Sequence, residues 1–241
     1  YEDAVKLIEQ DIYYGPMMIY MGDADGEVSG AEHTTADTVR PALQIVKTAP
    51  GISVVSGAMV MVTKKENLGE KGVFIFADVA ITPNPTAEEL AQIAVCSGDT
   101  ARQIAGIENP RIALLSFSTK GSAKHELADK VKQATGLAKA MRPEMNFDGE
   151  MQADTAISPD MLEENFPFSD LKGGANILIF PCLNSSNAAC KLAQRFSGAE
   201  SIGPILLGMN KPAHIMEYGG YNEADIVNMT ALTVVDANAG R

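Results

Sequence analysis

The sequence predicts an α/β protein with largely parallel sheets. Short apolar runs typical of buried strands alternate with stretches that have helical periodicity, and polar loops separate the two kinds of segment. The length of 241 residues fits one large or two modest α/β domains. Because parallel strands end at a common sheet edge, we expect ligand-binding residues directly after the strands.

The strand predictions follow the apolar runs, whose ranges are 17–21, 52–62, 72–78, 111–115, 145–155 (strand and loop), 176–180 and 204–207. The helix predictions follow apolar spacing and capping signals. A helix over 36–46 has Pro41 in its first turn or at a kink. Thr86 and Glu89 form a capping box before a helix with Leu90 on its apolar face.

Three further predictions concern the second half of the chain. A helix after residue 122 has one apolar stripe, which consists of Leu127, Val131, Ala134, Ala138 and Met141. We expect segment 159–174 to be irregular and segment 184–187 to cap the next helix. The last helix is expected from near Ala224 to near Gly240.

Composition excludes several classes of function. The chain has 19 Lys and Arg against 31 Asp and Glu, which gives a net charge of −12 and argues against a nucleic-acid partner. No apolar run approaches the length of a membrane span. No leader peptide is visible after Tyr1, and three scattered cysteines favour a reducing cytoplasm. An anionic small ligand remains compatible with a local positive pocket.

The loop 116–122 gives the strongest local signal. It places hydroxyls and one cation between a strand and a helix, on Ser118, Thr119, Lys120 and Ser122. This chemistry suits a phosphate at a helix N-terminus, but a plain polar turn with a capping serine explains the residues equally well. Arg40, in the polar cluster 32–41, could likewise hold an anion, or that cluster simply caps a helix.

Metal and nucleotide signatures are absent from the sequence. It contains no Gly-x-Gly-x-x-Gly, no Walker A and no His-Glu-x-x-His motif. The three histidines, His33, His125 and His214, are far apart, and Asp23-Ala-Asp-Gly26 departs from the calcium-loop spacing. We therefore expect no protein-bound metal.

Several motifs together resemble the phosphate acetyl/butyryltransferase family over nearly the whole chain. They are Gly22-Asp-Ala-Asp-Gly26, His33-Thr-Thr-Ala-Asp37, Lys47-Thr-Ala-Pro-Gly51, Phe76-Ala-Asp78, Leu115-Ser-Phe-Ser-Thr-Lys-Gly-Ser-Ala123, Asp148-Gly-Glu150 and Asp225-Ile-Val-Asn228. The resemblance implies two α/β/α domains of isocitrate dehydrogenase-like architecture that flank a cleft, in a cytoplasmic homodimer. Domain one would comprise 1–57 and 204–241 and lack its N-terminal part; domain two would comprise 58–203.

The resemblance also implies a reaction and a set of site residues. The reaction is reversible acetyl transfer between acetyl phosphate and coenzyme A (CoA), in acetate metabolism, with CoA or acetyl-CoA as substrate and no permanently bound cofactor. Asp225 matches the proposed base, and Arg195 matches an arginine near CoA. The resemblance also implies that Asn187 and four loop residues contact the acyl phosphate. The loop residues are Ser118, Thr119, Lys120 and Ser122. Arg40 lies in a motif that faces the cleft.

One segment departs from the family pattern. The family usually carries Ser-Arg-Gly shortly before the aspartate, and here Glu217 and Tyr218 stand at the serine and arginine positions. A tyrosine cannot replace a permanent bidentate cation. Another arginine then enters the site, or catalysis is impaired. The second case supports an alternative, an acetyl-CoA-sensing and oligomerising domain like that at the C-terminus of hybrid malic enzymes.

Overall fold

The computed structural model describes residues 2–216 and 221–239. The helices are α1 Glu2–Ile8, α2 Asp11–Met21, α3 Thr35–Ile45, α4 Ala87–Gln103, α5 Glu126–Met141, α6 Ala153–Ile157, α7 Pro159–Asn165, α8 Leu183–Ser197 and α9 Glu223–Ala239. The strands are β1 Glu27–Ser29, β2 Ser56–Val62, β3 Val73–Ala77, β4 Arg111–Leu115, β5 Asn146–Met151, β6 Ile177–Ile179, β7 Glu200–Leu207 and β8 Ala213–Ile215.

Most described strands form a six-stranded sheet in the order β5-β4-β6-β3-β2-β7. Strands β3, β6, β4 and β5 pair in parallel, whereas β2 runs antiparallel to both of its neighbours. Strands β1 and β8 form a separate parallel pair. This arrangement confirms the predicted α/β class with largely parallel sheets.

Helices cover both faces of the large sheet, because successive strand residues point to opposite sides. In β4, Ile112 and Leu114 pack into the main core with residues of α4, α5 and α9. Ala113 and Leu115 face the other side and pack with residues of α6 and α7. Met59 and Met61 of β2 share a third cluster with Cys190 of α8. The result is a three-layer α/β/α arrangement.

The predicted start of α4 is confirmed in atomic detail. The Thr86 Oγ1 accepts a hydrogen bond from the Glu89 backbone N–H, and Glu89 Oε2 accepts one from the Thr86 N–H. Leu90 and Ile93 are fully buried on the predicted apolar face. Reciprocal capping of this kind satisfies two backbone donors that the first helical turn would otherwise leave unpaired.

Three local predictions are wrong. Segment 17–21 is the end of α2, not a strand, because a short apolar run does not distinguish a buried strand from a helix. Segment 159–174 begins with α7, whose first turn tolerates Pro159 and is capped by Ser158. Segment 184–187 lies inside α8, and Cys182 occupies the N-cap position.

Two smaller differences concern α5 and the domain division. Leu127 and Met141 are exposed although the predicted apolar stripe of α5 contains them, whereas Val131 and the two alanines of the stripe are buried. The predicted domain boundaries at 57/58 and 203/204 fall within β2 and β7, which are paired antiparallel strands. The division into domains stays a prediction. No helix of the described residues is long and apolar enough to cross a membrane.

Glu27 of β1 generates a prediction about pH and stability. Its carboxylate lies so close to Gly15 of α2 that a side chain at that position would clash with it. Burial raises the pKa of Glu27 from its usual 4.5 to about 7. Between these values the folded protein binds more protons than the unfolded chain, so stability falls as pH rises through this window.

We expect Glu27→Gln to remove this loss of stability with rising pH. Urea unfolding measures the free energy of unfolding at pH 5 and at pH 7.5. In the wild type, Glu27 should lower this free energy by about 1 to 2 kcal/mol between the two pH values, after allowance for partial solvent screening. In the variant this contribution should be absent. Glu32→Gln, which changes an exposed carboxyl nearby, is the control and should keep the wild-type difference. An unchanged pH dependence in Glu27→Gln would contradict the interpretation.

Candidate active site

Asp225 lies in the first turn of α9, where local hydrogen bonds fix it. Asn222 Oδ1 accepts from the Ala224 and Asp225 backbone N–H groups at 2.8 and 3.2 Å. Asp225 Oδ2 in turn accepts from the Asn222 N–H at 2.8 Å. The carboxyl group reaches a cavity of about 60 Å³ beside β2 and β7, lined also by Met59, Gly203 and Tyr221. A carboxylate at such a wall can take a proton from a bound ligand.

A second cavity, of about 150 Å³, adjoins the first. Met59 lines both cavities, and Gly203 of the first is followed by Pro204 of the second. Asn187 and Lys191 line the second cavity from α8. They are four residues apart and therefore lie on the same helix face, so an amide and an ammonium group both border this space. These are suitable donors for a phosphate group.

A third, open cavity of about 640 Å³ lies next to the second. It shares Thr35 and Ala80 with the second cavity and is also lined by Arg40 of α3. The Arg40 guanidinium lies 3.6 Å from the Asp37 carboxylate, and both side chains are about half exposed. We call the three cavities together the cleft, because each shares lining residues with the next. Asp225 lines the first cavity, Asn187 the second and Arg40 the third.

Arg195 lies outside these cavities but on the same stripe of α8. It follows Lys191 by four residues, as Lys191 follows Asn187, and it is exposed in the last turn. With a rise of 1.5 Å per residue, Arg195 is about 12 Å along the helix axis from Asn187. A cation at this distance can contact the remote part of a long ligand whose reactive end lies in the cleft.

The loop 116–122 occupies a different part of the sheet edge. It follows β4, and three strands (β6, β3 and β2) separate β4 from β7 beside Asp225. At the usual strand spacing this separation is about 19 Å. The loop therefore follows a strand that is not a neighbour of β7. The predicted grouping of Ser118, Thr119, Lys120 and Ser122 with Asn187 at the acyl phosphate stays a prediction.

The hydroxyls of this loop are used in internal hydrogen bonds. The buried Ser118 hydroxyl donates to Glu150 Oε1 at 2.9 Å, and the Gly121 N–H donates to the same oxygen at 2.6 Å. Ser122 Oγ accepts from the Thr119 N–H at 3.0 Å. His125, not a serine, caps the following helix α5. These bonds explain why the polar sequence forms a defined turn.

Lys120 forms an ion pair with Asp148, a fully buried residue of β5. Asp148 also accepts a hydrogen bond from the Ser169 hydroxyl at 2.6 Å. Burial by itself raises the pKa of Asp148, but the bonds from Lys120 and Ser169 and the Lys120 charge outweigh it and hold this pKa below its usual value. The positive charge of Lys120 therefore compensates a buried carboxylate.

Two of the predicted positions cannot be placed. Glu217 and Tyr218 lie outside the described residues. The residues on either side of this gap, Met216 and Tyr221, both line the Asp225 cavity. Sequence reasoning also left Lys191 out of the candidate site. Its spacing of four residues from Asn187 on a predicted helix is the signal that could have identified it.

Cys182 is a further polarised group near this edge of the sheet. It occupies the N-cap position of α8, and its thiol lies 3.4 Å from the Ser185 hydroxyl. Burial alone raises the pKa of Cys182, but hydrogen bonds with Ser185 and Asn184 and the charge of Lys130 outweigh burial and lower this pKa. Within residues 2–216 and 221–239, no group of three or more His, Cys, Asp and Glu side chains is arranged to hold a metal ion.

Comparison with known proteins gives the family. The model of the phosphate acetyl/butaryl transferase family matches residues 1–234. The phosphate acetyltransferase of Thermoanaerobacterium thermosaccharolyticum is 50% identical over 236 residues, which cover 98% of this chain and 71% of that protein. The phosphate acetyltransferase of Clostridium acetobutylicum is 47% identical over 239 residues, 99% of this chain and 71% of that protein.

A solved structure agrees with these relatives. The crystal structure of a phosphotransacetylase from Streptococcus pyogenes superposes with a TM-score of 0.91 at 46% identity, and the match covers 98% of this chain and 70% of that chain. The relatives and this structure place the chain in the acyltransferase class of enzymes. The chain belongs to the phosphate acetyl/butaryl transferase family.

The Glu150 contacts generate a prediction about the loop 116–122. Glu150→Ala leaves the Ser118 hydroxyl and the Gly121 N–H without their buried acceptor, so we expect the free energy of unfolding to fall by about 2 to 4 kcal/mol. Glu150→Gln keeps an oxygen acceptor and should lose less than half as much. Urea unfolding at pH 7 measures both.

The control for this prediction is Glu126→Ala, which removes an exposed carboxyl from the first turn of the neighbouring α5. It should change stability by less than about 0.5 kcal/mol. A Glu150→Ala protein as stable as the Glu126→Ala protein would show that the loop does not depend on this carboxylate.

Proposed function

We propose that the chain is a phosphate acetyltransferase, which transfers an acetyl group reversibly between acetyl phosphate and CoA. The observation that carries the proposal is the cleft of a family member with the Asp225 carboxylate at one end and the donors of Asn187 and Lys191 in the adjoining cavity. The relatives named above carry the name phosphate acetyltransferase.

The chemistry is direct acyl transfer. Asp225 takes the proton of the CoA thiol, and the thiolate attacks the carbonyl carbon of acetyl phosphate. A carbon–sulfur bond forms, the bond from the acyl carbon to the bridging phosphate oxygen breaks, and phosphate leaves with that electron pair. Holding two substrates side by side supplies much of the acceleration, so no covalent enzyme intermediate is required.

We assign the acyl phosphate to the cavity beside Asn187 and Lys191, because this space adjoins the Asp225 cavity at Met59. Amide and ammonium donors stabilise the charge that develops on the leaving phosphate. Arg40 adds a guanidinium at the open end of the cleft. The predicted contact of Ser118, Thr119, Lys120 and Ser122 with the acyl phosphate stays a prediction.

CoA is assigned to the stripe of α8 that leads away from the cleft. With its thiol near Asp225, the remote part of CoA extends toward the exposed Arg195 guanidinium. A guanidinium is the side chain best suited to bind a phosphate group through two hydrogen bonds. This assignment agrees with the role that the family resemblance implies for Arg195.

We also propose that the protein is a cytoplasmic homodimer that acts in acetate metabolism without a permanently bound cofactor. Helix α8 offers a surface for a second copy of the chain. The Phe196 ring is 85% exposed. It borders an apolar cavity of about 490 Å³ that is also lined by Leu68 and Phe74. A protruding ring beside an unfilled apolar cavity suits an interface with twofold symmetry.

The departure at Glu217 and Tyr218 suggests one alternative, which the named relatives do not favour. A domain that binds acetyl-CoA without turning it over, like the C-terminal domain of hybrid malic enzymes, does not need the Ser-Arg pair of the family. The acetyltransferase names of the relatives favour the first function. The two functions differ in one observable. An acetyltransferase turns over the acetyl-CoA that it binds, whereas the sensing domain binds acetyl-CoA without turnover.

The decisive assay follows the release of free thiol from acetyl-CoA in the presence of phosphate. We expect wild-type protein to release thiol and Asp225→Asn to lower kcat at least about 100-fold, because the general base is lost. CoA affinity should stay within about twofold, since the amide keeps the shape of the carboxyl group.

Glu223→Gln provides the matched control, because Glu223 is an exposed acid in the same first turn of α9. It should keep wild-type kcat. Wild-type turnover in Asp225→Asn would remove Asp225 from the mechanism. No thiol release by the wild type, with acetyl-CoA binding still measurable, would instead support the acetyl-CoA-sensing alternative.

A further inference from the structure

Two acidic residues share one face of α9. Asp225 is in the first turn and Asp236 is near the end, eleven residues later. At 3.6 residues per turn, eleven residues make three turns plus about 20°, so the two side chains leave the helix in nearly the same direction. Met229 and Thr233, which are buried, lie between them on the side that packs against the protein.

Asp236 faces a buried histidine. His214 of β8 is fully buried, and its Nδ1 accepts a hydrogen bond from the Leu206 backbone N–H at 3.2 Å. The ring proton is therefore on Nε2, which lies 3.2 Å from Asp236 Oδ2. Among the described residues, Nε2 has no well-aligned hydrogen-bond partner, so the nearby carboxylate is the group that offsets its burial.

The position of Asp236 is unfavourable for the helix itself. The last turn of a helix carries partial negative charge, and an anion there is destabilising. The last turn of α9 contains no basic residue to compensate. The His214 ring, whose Nε2 lies 3.2 Å from the Asp236 carboxylate, gives the acid a polar partner at this position.

The histidine ring joins the two elements that form the Asp225 cavity. Through Nδ1 it is bound to Leu206 of β7, whose residues Ser201 and Gly203 line that cavity. Through Nε2 it faces α9, which carries Asp225. We propose that His214 and Asp236 are positioning residues that fix the rotation of α9 about its axis and thereby aim the Asp225 carboxylate. This inference rests on the proposed role of Asp225.

The magnitude of the effect follows from helix geometry. A side-chain carboxylate lies about 6 Å from the helix axis, so a rotation of 10° moves it by about 1 Å. A misplacement of about 1 Å can lower the rate about 100-fold. Met229, Leu232 and Thr233 hold α9 against the protein through burial, and the hydrophobic effect by itself has no preferred direction. The contact between the Asp236 carboxylate and the His214 ring, at 3.2 Å and three turns from Asp225, adds a polar restraint to this packing.

The test compares Asp236→Ala with Asn238→Ala, which changes an exposed polar residue in the same last turn. We expect Asp236→Ala to lower kcat at least about tenfold, with KM for acetyl-CoA and phosphate within about twofold and cooperative melting retained. Asn238→Ala should match the wild type. Asp236→Asn, which keeps an oxygen atom beside Nε2, should recover most of kcat.

A double-mutant comparison separates positioning from general destabilisation. If Asp236 acts through Asp225, then Asp236→Ala should have no further effect on kcat in an Asp225→Asn background. A full additional tenfold loss there, or wild-type kcat in Asp236→Ala, would overturn the proposal. Should the alanine variant fail to melt cooperatively, Asp236→Leu repeats the test with the side-chain bulk retained.

Hydrogen exchange of the α9 amides gives a readout that does not depend on turnover. Asp236→Ala should speed exchange of the 221–239 segment, and Asn238→Ala should not. If the wild type has no transferase activity, the proposed function fails, and the exchange result still decides whether the pair restrains α9. Unchanged exchange in Asp236→Ala would overturn the restraint itself.

Discussion

The packing of α9 against strand β7 is the contact on which the candidate active site depends. Strand β7 lies at one end of the large sheet, and α9 packs beside it with Met229 buried in the main core. The Asp225 cavity lies where these two elements meet, and Met59 of the neighbouring β2 lines both this cavity and that of Asn187. A shift of α9 relative to β7 would separate the proposed base from the proposed phosphate site.

Buried carboxylates at the sheet edge shape the loops that follow the strands. Asp78, just after β3, accepts hydrogen bonds from four backbone N–H groups, which include those of Gly57 and Thr82. Asp148 and Glu150 of β5 hold the loop 116–122 in the same manner. Each carboxylate is removed from water only because charged or multiple hydrogen bonds compensate the loss of hydration. The proposed substrate contacts are on other elements, in Arg40 of α3, Asn187 of α8 and Asp225 of α9.

Local signals in the sequence predicted local structure well. The capping box of Thr86 and Glu89 and the strand 111–115 depend on neighbouring residues, and both are confirmed. The run 17–21 was assigned to the wrong element because its apolar residues fit a strand and a helix alike. The short strands β1 and β8 were missed because three residues carry no recognisable period.

The grouping of site residues was beyond such signals. Asp225 and Asn187 are far apart in the chain, and only the order of strands in the sheet brings their cavities together. The loop 116–122 has suitable chemistry for phosphate, yet that order places it about 19 Å from β7. A structure of the protein with CoA bound, and the distance from the CoA sulfur to the Asp225 carboxylate in it, tests the account most directly. The account predicts a distance of about 3 to 4 Å, within reach of proton transfer; a sulfur located against the loop 116–122 would contradict it.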